Sequence, residues 1–320
     1  MQLVLLHSQI VFLLTAKAIE AIFEKYPGYD LRRLIQSSEH VISNLFESFT
    51  ENPGSFLGAF PSCPMEKETR GRLDARMGDA LVACGAEYGI LVSNGRVVCT
   101  KSNGIIKLQQ WDVILVLNFL ASNESLRHSE TVMTICLPFY DSSCNFIAYT
   151  KYIDDEACLL LLCSDAVDNV SLFSTVCDSM ASEWIHDSSQ IVNVDSLTPS
   201  LDEATLQLAS NEWIFVFKDC QKQQYIWNGP RENLQLSTED VIVKFSNMRA
   251  GMFVHDGEYP VGPLQTFRLE EFGEYTFVAI CSIKYEIFVA IDSLASTQDA
   301  VETVENMNSV LIEHASMLFS

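Results

Sequence analysis

The sequence predicts an α+β protein in which two α/β sandwich domains follow one another. Each is an antiparallel five-stranded sheet in the order ββαβββα with helices over one face, and orphan helices precede the pair. Three observations predict this. The hydrophobic period changes from helical to strand-like after Glu66, the order of elements in residues 66–190 recurs in residues 205–320, and each copy opens on a hairpin and closes on an amphipathic helix. At 320 residues and 48% hydrophobic, the chain has enough apolar side chains for two cores.

Residues 1–62 read as helices. A first runs from about Leu3 to Tyr26 and stops at Pro27-Gly28; a second is capped by Asp30 and carries Leu31, Leu34, Ile35, Val41, Leu45 and Phe49. The apolar runs Leu3–Leu6 and Ile10–Leu14 do not make a signal peptide, because no basic residue precedes them and His7-Ser8-Gln9 interrupts them. The helical pattern also continues through Ile19, Ile22 and Phe23. The segment is too short to span a bilayer. Two mostly apolar helices without a sheet cannot bury themselves. Either they dock on the later domains, or they are the tail of a domain whose sheet lies outside this chain. The second alternative predicts an exposed apolar stripe on Leu3–Leu14 and self-association.

In the second segment, Tyr88–Val92 and Val97–Cys99 flank Asn94-Gly95, the dipeptide that a type I′ hairpin turn favours. An apolar helix from Trp111 to Ala121, capped near its start by Asp112, leads to strands at Val132–Leu137, Phe146–Ile153 and Cys158–Cys163. A helix from about Asn169 to Trp184 closes the copy. A Pro-, Ser- and Asp-containing linker, Ile191 to Leu206, separates it from the next. There the hairpin is Trp213–Lys218 with Gln224–Trp227, and the helix is Thr238–Met252, capped at Ser237 or Thr238. The strands are Leu264–Leu269, Tyr275–Ile283 and Glu286–Ile291, and the last helix is Thr297–Leu318.

A formal net charge of −22 opposes binding to a phosphate backbone, so nucleic acid is not an expected partner. The charge is unevenly spread. Residues 1–100 hold 9 Lys+Arg and 11 Asp+Glu, which leaves 20 − 9 = 11 and 42 − 11 = 31 for the rest. The ten cysteines lie mostly inside apolar runs, as small hydrophobes in a reducing compartment do. With no Cys-x-x-Cys pair and six scattered histidines, no metal site and no cofactor are expected.

Neither the common nucleophile elbow nor a phosphate loop occurs, so no catalytic residue is nominated. The acidic run Asp154-Asp155-Glu156 lies between two strand signals and reads as a charged turn. Asp30-Leu31-Arg32-Arg33 reads either as a cap with two solvated arginines or as a binding motif. Lys67, Arg70, Arg72 and Arg76 form the densest basic patch, a candidate for an acidic partner or lipid.

Taken as strings, several of these segments carry a family signature. They are Gln9-Ile10-Val11 through Leu14-Thr15, Ile22-Phe23-Glu24, Tyr29-Asp30-Leu31-Arg32-Arg33-Leu34, Ser38-Glu39, Asp112 with Asn118, Ile135-Cys136-Leu137-Pro138 and Leu159–Leu162. Together they resemble the SAND family of vacuolar fusion proteins, the Mon subunit of the Mon-Ccz complex. At the level of motif the resemblance covers roughly residues 1–165, and in element order the whole chain.

It implies three longin domains: residues 1–62 as the C-terminal helices of an incomplete first, 66–190 as the second and 205–320 as the third. It further implies a Ccz-type longin partner and a late-endosomal Rab GTPase whose nucleotide exchange the pair promotes without covalent chemistry. The location implied is the cytoplasm, with peripheral recruitment to late-endosomal, lysosomal or vacuolar membrane. The interface residues expected on this basis are Asp30, Arg32, Arg33, Lys67, Arg70, Arg72 and Arg76. Asn118 is expected to be a buried amide with a structural bond.

Overall fold

A computed structural model describes residues 1–104, 108–164, 170–191, 213–229, 236–256, 259–263, 266–292 and 296–320. The chain divides into two compact units. One comprises Met1–Glu47, Met65–Ile191 and Ser320; the other comprises Ser48–Pro64 and Val192–Phe319. The expected linker lies almost wholly outside the described residues.

The N-terminal region is more broken than expected. Helix α1 (Gln2–Leu14) ends at Thr15, whose φ of 63° turns the chain before α2 (Ala16–Lys25), and the two axes bend by 83°. The Thr15 hydroxyl accepts from Ala18 N–H at 3.3 Å and caps α2. The second expected helix is likewise divided, into α3 (Arg32–Ile35), a 3₁₀ turn and α4 (Glu39–Glu51). No single helix among the described residues is long and apolar enough to cross a membrane. After α4 come α5 (Gly54–Leu57) and the short β1 (Phe60–Pro61), both in the second unit.

The first unit continues with α6 (Lys67–Cys84), the hairpin β2 (Tyr88–Ser93) and β3 (Arg96–Ser102), and α7 (Gln110–Ser122). Next are β4 (Thr131–Leu137), the one-turn α8 (Pro138–Asp141), β5 (Ser142–Tyr152), β6 (Ala157–Cys163) and α9 (Val170–Asp187). The five strands form an antiparallel sheet in the order β3-β2-β6-β5-β4. Asn94 and Gly95 have φ of 50° and 70°, the left-handed pair that the hairpin turn requires.

Helices cover both faces of this sheet, which corrects the expectation of one. Gly89 faces α6 so closely that a Cβ there would overlap the Met77 sulfur, whereas its neighbour Tyr88 points the other way, edge-on to Tyr140 of α8 at 6.0 Å. Every residue of β2 and β6 is buried. The uninterrupted Leu159–Leu162 run is the sequence trace of that two-sided cover, since a strand wet on one side would alternate.

Sequence reading missed α6 because Gly71 and Gly78 lower its helix propensity. Its buried residues Thr69, Leu73, Met77, Ala80, Leu81 and Cys84 nonetheless follow one helical stripe.

The second unit repeats the module with β7 (Trp213–Asp219), β8 (Gln224–Trp227), α10 (Thr238–Met252), β11 (Phe267–Phe272), β12 (Tyr275–Cys281) and β13 (Tyr285–Asp292). An additional hairpin, β9 (Phe253–Asp256) with β10 (Tyr259–Pro263), is inserted after α10. The closing helix is α11 (Thr297–Glu313), followed by α12 (Ala315–Leu318). Ser237 accepts from Asp240 N–H, and Ser296 with Asp299 forms a full capping box.

Here too both faces are covered. Phe215, Phe217, Val289 and Ile291 pack with Val304, Met307 and Leu311 of α11, while Ile214, Val216, Phe288 and Ala290 pack with Val241, Phe245 and Met248 of α10. The sheet has six strands, in the order β1-β8-β7-β13-β12-β11, because β1 joins β8 in parallel.

Candidate functional site

The expected exposed stripe on α1 is largely absent. Leu5, Val11 and Phe12 are buried, and α1 lies against β4, α7 and α8; Leu3, at 81% exposure, and Val4 remain outside. A buried amide network fixes this seat. Asn118 of α7 donates from Nδ2 to Gln9 Oε1 of α1 at 3.0 Å and to the Val41 carbonyl of α4 at 2.9 Å. Its Oδ1 accepts from Asn44 Nδ2 at 2.8 Å. One side chain therefore ties two N-terminal helices to the apolar helix of the sheet domain, which is the structural bond expected of it. The rest of the N-terminal region is open: α2 has no buried residue, and Phe23, Tyr26 and Phe46 are exposed.

Asp112 does not cap α7, which is its sequence-level correction. The helix begins at Gln110, and the fully buried Asp112 carboxylate reaches across to accept from Phe139 N–H at 3.1 Å, which holds the α8 turn. Its Oδ2 has no partner. Burial pushes the Asp112 carboxyl up to about 7, against the backbone donors of Phe139 and Tyr140.

The expected interface residues fall into two sequence groups, one around Asp30 and one on α6. Asp30 and Arg32 make an exposed fork-on-carboxylate pair, with Nε at 2.9 Å and 3.1 Å from the two oxygens and the far amino group at 2.8 Å. Asp30 Oδ1 also accepts from Arg32 N–H. The side-chain bond to Arg32 holds the Asp30 carboxyl below its usual range. Arg33 is exposed beside this pair.

Of the four basic residues expected on α6, Lys67, Arg72 and Arg76 reach the surface. Arg70 is buried and donates to the Val98 carbonyl at 3.4 Å, so its assignment to a surface patch is corrected. Arg72 pairs with Asp187 at 2.9 Å, and Arg76 with Glu183 at 3.3 Å. Both arginines are thus directed onto α9. Spacing could have shown this, since Leu73, Met77 and Leu81 place Arg70 on the inner flank and Arg72 and Arg76 on one outer ridge.

The acidic run is a structural turn. Asp154 Oδ1 accepts from Glu156 N–H and Ala157 N–H at 2.8 and 2.6 Å, and Oδ2 accepts from Trp184 Nε1 at 2.6 Å. Burial opposes the Asp154 charge, but these three donors hold its carboxyl below the usual range. Among the described residues no group of three or more His, Cys, Asp or Glu side chains could hold a metal ion.

This fold and its seated helices define a longin-domain protein. Residues 84–181 match the model of the second longin domain of FUZ, MON1 and HPS1, and residues 1–45 match that of the first. A vacuolar fusion protein MON1 homolog of Oryza sativa subsp. japonica is 26% identical over 339 residues, covering 94% of this chain and 58% of the relative. MON1 homolog A of Gallus gallus is 32% identical over 179 residues, covering 55% and 32%. Protein SAND of Takifugu rubripes is 31% identical over 165 residues, covering 51% and 32%. The chain is similar to the MON1 and SAND vacuolar fusion proteins, and it spans about half the length of the plant relatives it matches.

Proposed function

We propose that this chain is a non-catalytic subunit of a Rab guanine-nucleotide exchange complex acting in endosome-to-vacuole or lysosome trafficking. Its partner on this reading is a Ccz-type longin subunit, its client a late-endosomal Rab GTPase, and its location cytoplasmic with peripheral recruitment to the target membrane. The observation that carries the reading is the Asn118 seat. Through it, helices matching the family's first longin domain are fixed on the domain matching its second, and the outer side of α2 and α4 stays open for a partner.

The mechanism is differential binding. A surface that holds the nucleotide-free GTPase better than the loaded one lowers the barrier to release without an acid or a base.

The test is release of labelled guanine nucleotide from a late-endosomal Rab, with the chain and its longin partner both present. Release no faster than with the partner alone would reject exchange. A second reading, a longin-type trafficking adaptor without exchange activity, rests on the same exposed face of α2. Co-purification with a longin partner without accelerated release selects the adaptor. In either case Arg32→Glu with Arg33→Glu weakens the association and leaves the fold intact. An unchanged pull-down returns these residues to ordinary surface.

A further inference from the structure

The second unit holds a segment that its module does not need. Strands β8-β7-β13-β12-β11 already reproduce the five-stranded order β3-β2-β6-β5-β4 of the first unit, yet residues 54–62 lie along the outer edge of β8. The segment has the form of a docked peptide. A single helical turn, Gly54–Leu57, ends at Gly58 with φ of 61°. Phe60 N–H then donates to the Gln223 carbonyl at 3.1 Å, and Ser62 N–H to the Tyr225 carbonyl at 2.9 Å.

Two cations clamp the end of that turn. Lys218 Nζ donates to the Leu57 carbonyl at 2.8 Å, and the Arg249 guanidinium donates to the Phe56 carbonyl at 3.0 Å. Both cations are held by the buried Glu286: Arg249 through bonds of 2.6 and 3.1 Å, Lys218 through one of 3.3 Å. Consecutive carbonyls at a helix C-terminus carry partial negative charge, and this pair of cations complements it. Beneath them Phe56 meets Phe288 edge-on at 6.0 Å, while Leu57 and Ala59 enter the cluster of Tyr225 and Phe245.

We propose that residues 48–64 form a releasable strap, and that the groove between β8 and α10 is a peptide-binding site filled in cis. The ligand it selects is a helical turn ending in two free carbonyls, then a left-handed glycine, then an apolar strand. Its polar contacts go to the ligand's backbone and its apolar contacts to Phe56, Leu57 and Ala59, the division used by grooves that take an added strand.

The test uses the full chain and a fluorescein-labelled peptide of residues 52–64. Leu57→Asp with Phe60→Asp displaces the strap. Anisotropy then reports peptide binding to this variant and none to the wild-type chain, whose groove is filled. Adding Lys218→Met weakens the binding roughly tenfold, the expected loss of a hydrogen bond to a charged group. A folded variant that fails to bind overturns the proposal, as does an unfolded variant that the peptide does not refold. Independently, in the wild-type chain the Phe60 and Ser62 amides exchange with deuterium before those of Phe215 and Phe217 in β7. Exchange of all four in one cooperative step identifies the strap as core and also overturns it.

Discussion

Asn118→Ala is the sharpest perturbation of the N-terminal seat. The substitution removes two donors from acceptors that water cannot reach, because Gln9 and Val41 are both 0% exposed. The Gln9 Oε1 left without its donor costs about 1–3 kcal/mol, and the Val41 carbonyl, which keeps its place in the α4 helix, adds about 1 kcal/mol, which gives roughly 2–4 kcal/mol in all. The bond from Asn44 adds little, since Asn44 is half-buried and can turn to water. A loss of that size is a large share of the roughly 5–15 kcal/mol by which domains are stable.

Urea unfolding followed by fluorescence of Trp111 and Trp184 measures it, with Trp213 and Trp227 replaced by Phe to isolate the first unit. Limited proteolysis across residues 15–40 gives a second readout. Asn44→Ala, the control, costs under about 1 kcal/mol. Replacing both Asn118 and Gln9 by Leu recovers part of the loss, because the buried Gln9 amide is then no longer stranded. A loss below about 0.5 kcal/mol for Asn118→Ala, within the range of ordinary surface changes, refutes the claim that this amide holds the helices down.

The folded-state pKa of Asp112 lies above its unfolded value, so the carboxyl lowers stability as pH rises from the unfolded value near 3.8 to about 7, and the loss levels off above that. Comparing pH 5.5 with pH 8, Asp112→Asn removes on the order of 2 kcal/mol of that dependence, and chemical denaturation at the two pH values checks it. Glu286→Gln leaves Lys218 and Arg249 buried with no counter-charge and costs about 3–5 kcal/mol, read from the urea midpoint of Trp213 and Trp227 fluorescence. Asp154→Ala frees Trp184 Nε1 and two backbone donors, lowers stability by about 1.5–3 kcal/mol and changes the emission of Trp184.

Local chemistry carried most of the fold. Asn94-Gly95 set the first hairpin, the Ser237 and Ser296 caps began helices where they stand, and the repeated element order gave two sheets of one topology. The charge of −22 and the scattered cysteines and histidines were equally plain from composition. Asn118 was legible because a polar side chain in the apolar run Trp111–Leu120 must find a bond when buried.

Other features belonged to tertiary structure alone. Burial of a stripe on α6 outweighed its two glycines, and Arg70 became a core residue only once α6 lay on the sheet. Asp112 left its helix start for Phe139, which is 27 residues away and adjacent only after folding. Membership of residues 48–64 in the second unit was invisible for the same reason: the Lys218 and Arg249 clamp joins positions more than 160 residues apart. Sequence period reports which face of an element is apolar, but the surface that covers that face is chosen by the whole chain.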